Sequence, residues 1–359
     1  MDFTLPFLTK KSNKVLGMDI SSMAVKILEL TERNHHYHVE SYAVAAIPSQ
    51  AIVENDIKDP DAVAEAIQLA YARSESTLNS VATALPSSSI ITKILQVDAN
   101  ISESELSEHI QLEAGRYIPY PLDEVALDFS ILGMSEREPG KRDVLVVAAR
   151  SEQVESRAEV IRRAGLTPKI IDVESYAVER AFSILADQLS NKGINQTIAV
   201  VDIGSIFTTI TILHNLHIVY TRDELFGGRQ LTEAIQRRYG VSYEQAGFMK
   251  KQREFADDYV PEVLNPFLES LIPLIRRTLQ LFFSSSRFTE VEHILLAGGG
   301  AMIPGLSKLI QERLSTSCTV ANPLSDMSIN SRINIASITA DSSSLLTCCG
   351  LALRSFDHG

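Results

Sequence analysis

Two short acidic turns hold the residue types that handle a bound phosphate. One sits in residues 198–213, IAVVDIGSIFTTITIL, where Asp202 is followed by Ile203, Gly204 and Ser205 between runs rich in Val, Ile and Thr. The pattern reads as two strands bent around a tight turn. A carboxylate at the end of a buried strand is costly unless something pairs with it. Gly204 permits a close backbone approach, and successive turn N–H groups with a hydroxyl such as Ser205 can hold a phosphate. Asp202 would then face the Mg²⁺ that accompanies a polyphosphate. Alone, an Asp-x-Gly-Ser turn is also an ordinary sheet bend. A second copy changes the balance: GMDISSMAVKILEL, near the start, again runs strand, acidic turn with Asp19, Ser21 and Ser22, and strand. Two such turns, each opening one half of the chain, are what a phosphate clamp between two related domains requires.

The bulk properties fit such a machine. A chain of 359 residues is long enough for two or more domains with proper cores. A net charge of −12 argues against a nucleic-acid or anionic-lipid surface as its main business. Cys318, Cys348 and Cys349 show no metal or redox spacing and read as reduced thiols of a cytosolic protein. The opening MDFTLPFLTKK puts its apolar residues before its lysines and is not a secretory signal. No uncharged apolar run approaches the roughly 20 residues of a membrane span, so membrane association is expected only through a partner. His35, His36 and His38 lie beside a turn with no acidic or cysteine ligand in step, and read as solvated loop histidines.

The elements that must position the two turns follow in order. Residues 37–46 read as a strand ended by Pro48, and 61–73 as a helix opened by Asp59 and Pro60. A strand over 81–85 is followed by Pro86 and a change of texture. Strand 90–97, helix 102–117 with a Ser102–Glu105 capping box, and strands 126–132 and 143–149 around a polar turn at 135–141 make an inserted module. RYIPYP at 116–121 is its rigid extended exit. Helix 151–164 closed by Gly165, strand 169–173 and helix 174–190 lead into the central turn. Beyond it come strand 216–222, helix 229–239, a helix from Ser242 with Gln245 at the capping-box position, and an acidic loop at 254–259. Helix 263–283 should be kinked or divided by Pro273. Strand 293–297 empties into Gly298, Gly299 and Gly300, before helix 306–314 and a last apolar helix over 342–354. Strands precede helices in both halves, so the class is α/β, and ligands in such sheets sit at the carboxyl ends of strands. Asp19, Asp202 and the glycine loop all fall there and are expected to line one cleft.

Acidic hairpin, Asp-x-Gly hairpin, Gly-Gly before a helix and a late Gly-Gly-Gly loop, in that order, resemble the actin-like ATPases. The inserted module is similar to that of FtsA, the cell-division actin homologue. Closer still is the PilM family of type IV pilus assembly, through GMDISSMAVKILEL, EAGRYIPYPLDEVALDF, FGGRQLTEAIQRRYGVSYEQA and LAGGGAMIPGL. The resemblance implies an actin-like ATPase fold: two related domains around a nucleotide cleft, with an FtsA-type strand-helix-strand-strand module. Residues 1–85 would be the first domain, completed by 170–195 and 341–359. Residues 86–169 would be the module, and 196–340 the second domain with a small helical subdomain at 228–290. Asp19 with Ser21 and Ser22 would be the first phosphate loop, with Lys26 just beyond. Asp202, Gly204 and Ser205 would be the second, the two aspartates orienting Mg²⁺ largely through water. Gly227 and Gly228 would admit phosphates or ribose. Glu233 and Arg237 fall where the family places ribose and purine contacts, and Gly298, Gly299, Gly300 and Met302 would close over the adenosine of ATP or ADP.

Plainer readings stand beside these. Lys26 alternates outward from its strand like a solvated lysine, Glu233 and Arg237 suit a surface i,i+4 pair, and the three glycines suit a strand-to-helix turn. Ser21 stands where the superfamily has glycine, which argues against fast hydrolysis. Glu174 is the candidate base for an attacking water, and equally a first-turn acid complementing the helix dipole. The resemblance thus implies a cytoplasmic ATP-binding scaffold with at most slow turnover, peripheral at the inner face of the bacterial inner membrane. Its expected partner is the N-terminal cytoplasmic tail of PilN, and through it PilO and PilP. Pilus motor ATPases and further copies of the chain are secondary candidates. The tail is expected in a groove bordered by residues 113–125, whose two prolines fix an extended chain. The rivals are a sugar- or acetate-kinase-like phosphotransferase, an FtsA-like filament protein, whose C-terminal amphipathic anchor is not seen before the chain stops at residue 359, and an adaptor that has lost nucleotide.

Overall fold

The computed structural model describes residues 14–357 except 136–137 and 253–254. The sequence readings of residues 1–11 and 358–359, and parts of the predicted loops 135–141 and 254–259, lie outside the described residues.

The first sheet begins with β1 (Leu16–Ile20), buried along its whole length as a strand covered on both faces must be. β2 (Ala24–Arg33) and β3 (His36–Ala46) alternate between buried and more accessible positions and continue it antiparallel. After the short β4 (Ile52–Val53) and β5 (Asp56–Ile57), Asp59 caps α1 (Pro60–Ser74) by accepting the Ala62 N–H. β6 (Ser80–Leu85) then returns parallel to β1.

β7 (Ile90–Asp98), α2 (Glu103–Ala114), β8 (Val125–Met134) and β9 (Lys141–Arg150) make a separate sheet in the order β7-β9-β8, with α2 packed on it. The capping box of α2 is present, Ser102 and Glu105 exchanging hydrogen bonds. The helix stops at Ala114 rather than 117, where Gly115 and the approaching Pro119 no longer support it. α3 (Ser151–Arg163) lies within residues 86–169, expected from the sequence to form this module. Its buried Val160 and Ile161 instead pack with Val63 and Ile67 of α1 in the core of the first sheet. β10 (Thr167–Val173) pairs with β6, and α4 (Glu174–Leu185) gives way to 3₁₀ turns before the predicted end at 190.

The second sheet repeats the first. β11 (Thr197–Ile203), β12 (Thr208–His214) and β13 (His217–Glu224) form an antiparallel meander. α5 (Gly228–Tyr239), α6 (Tyr243–Gln252) and α7 (Asn265–Ser285) follow. Pro273 lies inside α7 without dividing it. β14 (His293–Ala297), α8 (Leu306–Leu314) and β15 (Ser317–Val320) complete the unit, the two strands parallel to β11. The strand orders β3-β2-β1-β6-β10 and β13-β12-β11-β14-β15 are therefore one topology used twice. β16 (Ser328–Ile329) joins the outer edge of β3. The sequence reading had no counterpart for β15, β16 or α9 (Ile335–Asp341), all short.

α10 (Leu346–Ala352) and α4 fill the space between the sheets, meeting Leu28 and Leu30 of the first and Ile198 and Val200 of the second in one core. The fit leaves no room for side chains at two glycines. A Cβ on Gly350 would lie 1.7 Å from the Ala177 carbonyl oxygen, and one on Gly17 2.5 Å from the Ala352 nitrogen. The helical run Ile335–Phe356 is 22 residues long with a mean hydropathy of 1.2, enough by length and composition to cross a membrane, although Asp341 and Arg354 interrupt its apolar sequence. Its apolarity has another use here, since it is the layer between the two sheets.

Candidate functional site

Strand register brings the acids to one place. Asp19 faces Lys26 across β1 and β2, on the same side as Gly17 and Leu28, which look toward α10. Asp202 faces Thr209 across β11 and β12, on the same side as Val200 and Ile198. Both aspartates thus leave the inner faces of their sheets, at the carboxyl ends of β1 and β11, above the shared core.

Lys26 is not the solvated surface lysine its alternation suggested. The outward face of β2 is the inter-sheet face, and the amine donates to Asp19 Oδ2 at 2.9 Å and to the Ser344 carbonyl oxygen at 2.9 Å. Burial opposes its charge, but attraction and hydrogen bonding from Asp19, with attraction from Asp202, hold its pKa above an ordinary lysine's. Asp202 is pushed up to about 6 by burial, against the pull of Lys26 and with repulsion from Asp19 and Asp223. Glu174 opens α4 and lies within the field of the same aspartates. Burial first, then Asp19, Asp223 and Asp202, push it up to about 8, while Arg157 opposes. Groups that shift one another in this way lie near one another, and the contacts agree: Lys26 bonds both Asp19 and the Ser344 carbonyl, next to the Ser343 that bonds Gly298 beside Asp202.

The glycine loops press on the second turn. Gly298 has φ +78°, and a Cβ there would lie 2.3 Å from Asp202 Oδ1; one on Gly300 would lie 2.3 Å from Ile203 Cγ2. Only glycine fits that approach. Ser343 then ties Gly298 down: the Gly298 N–H donates to the Ser343 carbonyl, and the Ser343 hydroxyl returns a bond to the Gly298 carbonyl. Gly299 and Met302 are solvent-exposed on the same loop.

Other predicted residues have different local jobs. The Ser21 N–H and hydroxyl both donate to the Ala24 carbonyl at 3.0 Å, closing the first hairpin, while Ser22 stays partly accessible. Gly228 and Arg229 donate their N–H groups to the carbonyls of Gly204 and Ser205, so the start of α5 holds the second turn in place. Gly227 is required by that contact, its would-be Cβ falling 2.6 Å from the Ser205 oxygen. Glu233 pairs with Arg229 at 2.9 Å rather than with Arg237, which is exposed. His38 Nδ1 meets the Ser328 hydroxyl at 2.6 Å, and among the described residues no group of three or more His, Cys, Asp or Glu is arranged to hold a metal.

Three charged residues escaped sequence reasoning. Arg157 of α3 is buried and donates to the Ile20 carbonyl at 2.6 Å, beneath the first turn. Its signal was a charge among the buried Ala158, Val160 and Ile161. Lys250 of α6 donates to the Gly228 carbonyl at 2.9 Å and to Thr232 Oγ1 at 2.7 Å, and burial brings its pKa down to about 8. Asp223 of β13 accepts from Thr209 Oγ1 at 2.7 Å.

A duplicated meander-plus-parallel sheet, with an acidic turn from each copy entering a common cleft, defines the actin-like ATPase fold. Solved structures with that fold are similar to this chain. MreB5 of Spiroplasma citri bound to AMPPNP superposes with a TM-score of 0.50 at 14% identity, over 96% of this chain and 95% of that one. The ethanolamine utilization protein EutJ from Carboxydothermus hydrogenoformans gives 0.57 at 16% identity, over 94% and 89%. A PilM-PilN type IV pilus biogenesis complex contains a chain at TM-score 0.81 and 26% identity, over 96% of this chain and 99% of that chain. The cell division protein FtsA of Bacillus subtilis is 21% identical over 86% of this chain and 78% of its own length. The family Type IV pilus assembly protein PilM matches residues 17–356, and the chain belongs to it. The FtsA-like and phosphotransferase readings give way to that match.

The shift at Glu174 makes a pH prediction. A carboxyl raised from 4.5 to about 8 contributes stability that is full below its unfolded value and is lost as pH rises through about 8. Without nucleotide, Glu174→Gln should therefore melt close to the wild type near pH 4.5 and roughly 3 °C or more above it near pH 8. Parallel melting curves across that range would contradict the buried placement of this carboxyl.

Proposed function

We propose that this chain is a nucleotide-binding scaffold of type IV pilus assembly. It holds Mg²⁺ with ATP or ADP between Asp19 and Asp202, and the N-terminal cytoplasmic tail of PilN beside the inserted module. The observation that carries the nucleotide part is the Lys26 amine bonded to Asp19 and within the field of Asp202, a donor flanked by the two acids. The bound metal would neutralise phosphate charge between the two walls. Lys26 supplies a donor for phosphate oxygens, and the glycine loop supplies a surface with no side chain in the way. Ser21, where related proteins have glycine, would put a side chain beside the phosphates. That fits binding with at most slow ATPase activity. The two MreB5 structures, with AMPPNP and with ADP, support the nucleotide class.

The PilN part rests on family membership, on the similarity to the PilM-PilN complex, and on a narrow groove at the root of the module. Ser89, Ile91, Ile118, Tyr120, Val125 and Arg150 line it, with the Arg150 guanidinium 5.4 Å from the Tyr120 ring centroid. The chain bends at Pro119 and Tyr120 rather than running extended as expected, and the bend presents the exposed Tyr120. The groove is small, and with the exposed Tyr120 beside it would anchor one side chain of an extended peptide. Through PilN the chain would sit at the cytoplasmic face of the inner membrane, in reach of PilO and PilP.

Two measurements test the two halves. A thermal melt at a hundredfold excess of Mg-ATP over its Kd should show about 2.7 kcal/mol of stabilisation, several degrees, and Asp202→Ala should abolish most of it. An undiminished shift in that variant removes the metal role of Asp202. Separately, Tyr120→Ala should weaken binding of a synthetic PilN tail by roughly tenfold or more, as loss of an aromatic anchor does, while the melting temperature stays put. Unchanged affinity in the folded variant would move the tail elsewhere.

A further inference from the structure

Strand pairing continues the Asp202 row by one more strand than the two-turn clamp needs. Asp202 pairs with Thr209 across β11 and β12, and Thr209 with Asp223 across β12 and β13. All three side chains therefore stand on the inner face of the second sheet. The Thr209 hydroxyl donates to Asp223 Oδ1 at 2.7 Å. A hydroxyl has one hydrogen to give, so what Thr209 turns toward the cleft is lone-pair density alone.

The matching register position on the first sheet is filled the opposite way. There Asp19 faces Lys26, a pure donor. Phosphate oxygens only accept hydrogen bonds at neutral pH, and water bound to a divalent cation chiefly donates. One wall thus presents a fixed donor and the other a fixed acceptor, each opposite an aspartate. Asp223 also repels its neighbours, its charge adding to the raised pKa of both Asp202 and Glu174.

We propose that Thr209 accepts a hydrogen bond from water on the nucleotide-bound metal, and that Asp223 is a positioning residue that fixes the direction of the Thr209 hydroxyl. This rests on the nucleotide-binding reading above and gives the second-domain wall a residue that selects for the metal-bound form of the nucleotide.

The test is the metal dependence of binding, read without turnover. ATP affinity of the full chain is measured by titration calorimetry in Mg²⁺ and in EDTA, with a melt of each variant as a folding control. The wild type should bind more tightly with Mg²⁺. Thr209→Val, nearly the same shape, should lose about tenfold of affinity in Mg²⁺ and little in EDTA, the size of one hydrogen bond to a polarised group. Thr209→Ser restores the hydroxyl and should recover most of the loss. Asp223→Asn can turn an N–H toward the hydroxyl oxygen and occupy its lone pair, and should lose part of the Mg²⁺ advantage. Thr209→Val with the full Mg²⁺ advantage, or a loss that Thr209→Ser fails to rescue, overturns the proposal. If Thr209→Val does not fold, the Thr209→Ser and Asp223→Asn pair decides: the proposal falls if Asp223→Asn keeps the full Mg²⁺ advantage. A wild type that binds ATP equally in Mg²⁺ and EDTA overturns this inference alone; one that binds no ATP overturns it together with the nucleotide reading.

Discussion

Lys26 and Asp19, bonded across one hairpin within the field of Asp202 from the other, are the interaction on which the molecule turns. Asp19, Asp202, Glu174 and Asp223 face one hollow, and only Lys26 and Arg157 appear beside them as compensating cations in the shifts of Glu174 and Asp202. A cleft with surplus carboxylates in low dielectric is strained toward protonation, as the raised Glu174 and Asp202 show. Positive charge relieves it; in the proposed bound state that charge is the metal ion's own, while the phosphate oxygens face the Lys26 amine. The rest of the fold sets the distance between the two walls.

That spacing is set by the layer between the sheets. Gly17 against α10 and Gly350 against α4 allow backbones to touch where any side chain would force them apart. Ser343 and Ser344 continue the same layer up to the cleft, one bonding the glycine loop of the second domain and the other bonding Lys26 of the first. The C-terminal segment is thus a common support for both walls. The two sheets share a topology but not a chemistry: opposite Asp19 stands Lys26, and opposite Asp202 stands Thr209, whose hydroxyl donates to Asp223.

What could be read from the chain was the part written locally. Asp19 and Asp202 stand at strand ends in runs of Val, Ile and Thr, and a strand end is a short-range property. The Ser102–Glu105 capping box was legible for the same reason. Lys26 was misread because alternation tells which residues share a face, not whether a second sheet covers it. α3 was misassigned because adjacency in sequence suggested the module, whereas its apolar stripe fits α1. Arg157 and Asp223 had no motif. Their roles exist only once strands far apart in sequence are laid side by side, Arg157 reaching Ile20 across 137 residues.

The account is tested most directly by where a metal sits in the loaded protein. Crystals grown with AMPPNP and Mn²⁺, measured for manganese anomalous scattering, should show one peak between the carboxylates of Asp19 and Asp202, bridged by water and touching phosphate oxygens. A nucleotide bound with its metal on one wall only, or lying outside the space between the two hairpins, would contradict it.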